Sequence, residues 1–202
     1  MNPIFGKEAR KKRRQEGTSV RNASWEELKS NLEQFKPDQE DSYFSAGEFR
    51  PIKREVVMFT DSPDVLEHEM THAAQFGPLQ RVALRAGMKD PGRAQDPEKR
   101  KAQKKILKSL TDEQWESMGK RGRYTLGSGK EYEAITTAGV NSLKRRFGEV
   151  GGDFESIKKQ LYSIPESETN PNIRLLRDAV GGLSTEKQKD LFMKSIFSNL
   201  QS

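Results

Sequence analysis

Apolar residues recur at helical spacing over most of the chain and in a strand-like run only once. Over residues 23–35, Trp25, Leu28, Leu32 and Phe35 form one stripe. Ser24, with Glu27 three positions on, is a capping box at its start. Residues 36–52 are polar and broken by Pro37, Gly47 and Pro51, which predicts a loop. Residues 54–60, REVVMFT, are short, β-branched and aromatic, the clearest strand in the chain. Asp61-Ser62-Pro63 closes that strand and opens a helix, with Ser62 as N-cap and Pro63 in the first helical position. The helix runs through Val65, Leu66, His68, Glu69, His72 and Phe76 until Gly77 and Pro78 stop it.

Downstream, the pattern predicts a helix over 78–88, a loop over 89–97 and a basic helix over 98–109. Thr111, with Gln114 three on, opens a short helix. Residues 119–130, GKRGRYTLGSGK, read as a glycine-rich basic loop that lacks the P-loop spacing. A helix over 130–148 follows, then helical pieces near 153–163, 171–181 and 184–200. The last of these aligns Leu191, Phe192, Ile196, Phe197 and Leu200. The expected fold class is α+β, mainly helical, with residues 54–60 at the edge of a small sheet beside the helix at 63–76. The expected organisation is a flexible basic arm over 1–22, a domain over 23–150 and a helical extension over 151–202 packed on it.

Composition narrows the function classes. Hydrophobic residues make up 32% and charged residues 33%, enough for a modest core among solvated stretches. The chain has no cysteine, which excludes disulfides and cysteine-ligated zinc. No run approaches the ~20 apolar residues of a membrane span. The N-terminal basic residues have no apolar run behind them, so a secretory signal is not expected, and a cytoplasmic protein is. The net charge of +6 is concentrated in two runs. One is Lys7, Arg10, Lys11, Lys12, Arg13 and Arg14; the other is Lys99, Arg100, Lys101, Lys104, Lys105 and Lys108. Both could meet phosphate backbones, but no aromatic residue interleaves with them, which favours solvated surfaces.

The segment HEMTH carries the chemistry. Residues four apart on a helix lie on one face, so His68 and His72 can reach one ion while Glu69 stands close enough to hydrogen-bond a water on it. These are the only two histidines in the chain, and they fall at this spacing. A catalytic zinc needs a third protein ligand and an open position. Without further histidine or cysteine that ligand is a carboxylate or is absent, and the best candidates are Glu131 and Glu133 on the helix at 130–148, ahead of carboxylates elsewhere. Glu131 shares its side of that helix with Ala134 and Ala138, small residues that permit close approach, whereas Glu133 points about 200° away.

HEMTHAAQ followed by a helix carrying EYEA resembles the zincin metallopeptidases of the gluzincin type, over about residues 54–148. In several such families the third ligand is the Glu of a Glu-x-x-Ala pattern, and the resemblance implies that role for Glu131. It also implies a zincin-like fold, a bound Zn2+, a peptide or protein substrate and Glu69 as general base. The position after Glu-x-x-Ala, often Asp in such families, is Ile135 here, which leaves the partner supporting the metal site unassigned. Extra oxyanion support falls first to Tyr124 and second to Tyr132. An extended substrate could pair with the strand at 54–60.

Two other readings stand beside the peptidase. One is a structural or interaction protein of a larger assembly, such as a phage particle, with a zinc site but little turnover. Small zincin-like proteins of bacteria and phages are similar in style, which would place the chain in a host cytoplasm or a virion. The other is a nucleic-acid or assembly partner engaged through the basic N-terminal arm. No membrane association is expected.

Overall fold

The computed structural model describes residues 15–34, 46–89, 91–147, 154–165, 168 and 170–200. The basic run from Lys7 to Arg14, Phe35, and the side chains of Phe197 and Leu200 lie outside the described residues. The chain divides into two compact units, Met1–Arg93 and Ala94–Ser202. The sequence pattern placed its divisions after residues 22 and 150 instead. Residues beyond 153 share one apolar core with helices that start at residue 97, and the extension expected over 151–202 was to pack on the preceding domain. Among the described residues no helix is long and apolar enough to cross a membrane.

The first unit holds a three-stranded sheet of β1 (Ser19–Asn22), β2 (Gly47–Arg50) and β3 (Glu55–Met58), with helices α1 (Trp25–Gln34), α2 (Pro63–Gln75) and α3 (Pro78–Arg85). The strand order is β1-β3-β2. β1 runs parallel to β3, Ser19 opposite Glu55 and Asn22 opposite Met58. β2 runs antiparallel to β3, Gly47 opposite Met58 and Arg50 opposite Glu55. The strand expected at 54–60 is therefore the centre of the sheet and not its edge. Two short segments, one expected as flexible arm and one as loop, supply the outer strands.

Those outer strands escaped the pattern because charge and ladder bonds hold them, not apolar alternation. Arg21 on β1 donates to Glu55 at 2.9 Å and to Glu27 at 2.6 and 2.7 Å. Arg50 on β2 donates to Glu27 at 2.6 Å. Glu27 also closes the expected capping box, accepting from the Ser24 N–H at 2.9 Å while its own N–H donates to Ser24 Oγ at 3.2 Å. α1 is thus fastened at its first turn. Its apolar stripe is not buried, since Trp25 is 70% and Leu32 49% exposed.

β3 supplies the apolar floor. Val56, Met58 and Val65 form a small core, with Phe49, Leu66 and Met70 packed against it, and α2 lies on β2 and β3. Proximity of strand and helix was the feature of this unit most legible in the sequence.

The second unit is helical: α4 (Pro97–Ser109), α5 (Asp112–Ser117), α6 (Lys120–Gly127), α7 (Gly129–Phe147), α8 (Phe154–Tyr162), α9 (Pro171–Gly181) and α10 (Glu186–Leu200). α7 is its spine and packs against α4, α6, α9 and α10. Tyr132, Ile135, Val140 and Leu143 of α7 join Ile106, Leu126, Leu176, Phe192 and Ile196 in one core. At Gly139 a methyl group would stand 2.8 Å from Leu176 Cγ, so glycine permits the close approach of α7 and α9. The Thr111–Gln114 capping box is present at the start of α5. The glycine-rich stretch expected as a loop is mostly helix α6; Gly122 lies against Met118 there, where a larger residue would clash.

Candidate metal centre

α2 begins where Pro63 sets the backbone for a first helical turn. Ser62 has the extended conformation of an N-cap but its side chain makes no capping hydrogen bond. Twelve residues of helix follow Pro63, which places His68 and His72 one turn apart on one face. Their rings meet edge to face with centroids 4.7 Å apart. His68 Nε2 and His72 Nε2 are separated by 3.1 Å.

That separation tests the fit to an ion. Two imidazole nitrogens each about 2.0–2.1 Å from one zinc, at a tetrahedral angle, stand about 3.3 Å apart. The observed 3.1 Å is close to this value, so the pair converges on one point without rearrangement. The ring of His72 is also held from behind. Its Nδ1 lies 2.9 Å from Gln75 Oε1. An amide oxygen accepts only from the tautomer with its proton on Nδ1, which is the tautomer whose Nε2 can ligate a metal. Gln75 is fully buried, which fixes the amide in turn.

Glu69, the residue between the two ligand candidates, is buried at 8% exposure. It lies against the first residue of β2. A methyl group on Gly47 would stand 2.7 Å from Val65 Cγ1 and 3.0 Å from Glu69 Cγ. Glycine therefore lets the outer strand of the sheet pass directly over the carboxylate stem.

The carboxylates of the second unit differ sharply in what they do. Glu133 is buried and accepts two backbone N–H groups, from Gln95 and Asp96, each at 2.8 Å. It fastens the entry to α4, where Asp96 caps the helix. Glu131, in the first turn of α7, is half-buried and accepts from the Tyr124 hydroxyl at 2.7 Å through Oε2. The opposite directions expected from helical geometry are thus found, with Glu133 committed to the backbone.

No protein-family model, curated protein or solved structure matches this chain. The geometry of these residues therefore carries the functional argument.

Tyr124 is exposed and Tyr132 is buried. Tyr124 sits on helix α6, not in a loop, and its hydroxyl is directed to Glu131. Tyr132 is fully buried, in contact with Phe192, and its hydroxyl meets Ser195 Oγ at 2.5 Å. Burial pushes its phenol well above the ordinary range. It is a core residue and cannot meet a substrate. Gln75 is the residue that sequence reasoning missed. Its signal was present, since His and Gln three apart on a helix face each other.

Proposed function

We propose that the chain is a zinc-dependent metallopeptidase, with His68, His72 and Glu131 as ligands and Glu69 as general base, on a zincin-like domain. The observation that carries this reading is the 3.1 Å convergence of the two Nε2 atoms on one helix, with Glu69 between them in sequence. Two points support Glu131 as third ligand. Its competitor Glu133 is engaged by two backbone N–H groups. Tyr124 orients its carboxylate by one oxygen.

Zinc held by these residues would supply a Lewis acid for a peptide carbonyl and would lower the pKa of a water towards about 7. The chain's own residues do the rest. Glu69 takes the proton of the attacking water and delivers it to the leaving amine. Its enclosure beneath β2 keeps that carboxylate in one place. Gln75 keeps His72 in the ligating tautomer. Tyr124 is a positioning residue that acts through Glu131. The extended backbone of a substrate adds to β2, which among the described residues is paired only with β3.

The test is cleavage of a mixed peptide library by the zinc-loaded full chain, compared with Glu69→Gln. The expected result is cleavage by the wild type, a loss of at least about 100-fold in the variant, and equal zinc content in both. A structural zinc protein of a larger assembly gives the other outcome: both chains hold zinc and neither cleaves.

A further inference from the structure

We infer that the exposed face of α4 is a binding surface for the phosphate backbone of double-stranded nucleic acid. Arg100, Lys101, Lys104, Lys105 and Lys108 are all exposed on this helix. At 100° per residue they fall within an arc of about 140°, along about 12 Å of helix. The opposite face, with Lys99, Gln103 and Ile106, is buried. Glu98 is the single acidic residue of the helix and sits in its first turn.

The second observation is that this charge is unspent. None of the five side chains forms an ion pair or hydrogen bond among the described residues. Arg100 and Lys104, Lys101 and Lys105, and Lys104 and Lys108 are like-charged neighbours one turn apart, an arrangement that weakens a helix. Fold stability therefore does not account for the stripe, and a polyanionic partner does.

The partner's class follows from what the face lacks. It carries no exposed large apolar side chain, and the half-buried Leu107 packs on the core, so it has nothing to insert into a lipid surface. It carries no aromatic residue on which unpaired bases could stack. A duplex presents about one negative charge per 1.7 Å of axis, or about seven over the length of the stripe, enough to engage all five cations.

The experiment is a fluorescence anisotropy titration of the full chain with a mixed-sequence DNA duplex at roughly 50–200 mM salt. The comparison is the variant with Arg100, Lys101, Lys104, Lys105 and Lys108 all changed to Gln. Wild type should bind, with a log–log salt slope steeper than the variant's by about 4 to 5; this corresponds to about 500-fold more affinity lost across that range. Lys104→Gln with Lys105→Gln should remove about two units of slope, and Lys→Arg changes should remove none. Equal slopes for wild type and the five-fold variant would overturn the inference. So would binding to phosphatidylserine vesicles without binding to the duplex.

Discussion

Gln75 Oε1 lies 2.9 Å from His72 Nδ1, one helical turn further along α2. The contact favours the tautomer with its proton on Nδ1 and restrains the ring plane. Gln75→Leu should weaken zinc binding by about 10- to 100-fold, as loss of such a support typically does. Gln75→Glu should preserve it, because the carboxylate also accepts from Nδ1. Competition with a chromogenic chelator measures both. Equal affinity for wild type and Gln75→Leu would remove this support from the account.

Glu131 and Glu133 should separate metal binding from folding. Glu131→Ala should lower zinc affinity with little change in the melting temperature of the metal-free chain. Tyr124→Phe should do the same to a smaller degree. Glu133→Ala should instead cost on the order of 2–3 kcal/mol, because the partly buried N–H groups of Gln95 and Asp96 lose their carboxylate acceptor. Thermal melts with and without zinc distinguish the two patterns, and a reversed pattern would reassign the ligand to Glu133.

Gly47→Ala introduces a methyl group where Val65 Cγ1 and Glu69 Cγ already stand. Overpacking of this kind costs about 1–3 kcal/mol. It should also move the Glu69 carboxylate, so peptide hydrolysis should fall while zinc content stays at the wild-type level. Hydrolysis at the wild-type rate would show that β2 does not fix the position of Glu69.

Glu27 gives the first unit an acid sensitivity. Hydrogen bonds from Arg21, the Ser24 N–H and Arg50 hold its carboxyl well below the usual carboxylate range. A carboxyl whose pKa is depressed by folding adds stability that is fully present above its unfolded value, about 4.3, and lost as the pH falls towards the folded value. Glu27→Gln should therefore melt lower than wild type at pH 7, by a difference that stays constant down to about pH 4.5 and narrows below it. A difference that is flat through acid pH would show that the ion pairs of Arg21 and Arg50 add nothing.

The contrast between these sites shows what could be read in the sequence. The strand at Glu55–Met58, the helix beginning at Pro63, and the caps at Ser24 and Thr111 rest on local chemistry, and all are found. The divergence of Glu131 and Glu133 follows from helical angle alone. β1 and β2 were not legible, because SVRN and GEFR have no apolar alternation. Their order depends on Arg21 and Arg50 meeting Glu27 and Glu55 across the sheet. α6 was obscured by its glycines, one of which packs against Met118. The roles of Tyr124 and Tyr132 depend on tertiary partners, Glu131 and Ser195, that no spacing rule reveals.

The central claim is that His68 and His72 hold zinc. The most direct measurement is the zinc content of the full chain after saturation with the metal and gel filtration, for wild type, His68→Ala and His72→Ala. The account predicts one zinc per wild-type chain and a loss of at least about 100-fold in affinity for either variant, since each removes one of the three proposed ligands. A wild-type chain that retains no more zinc than the two variants would contradict it.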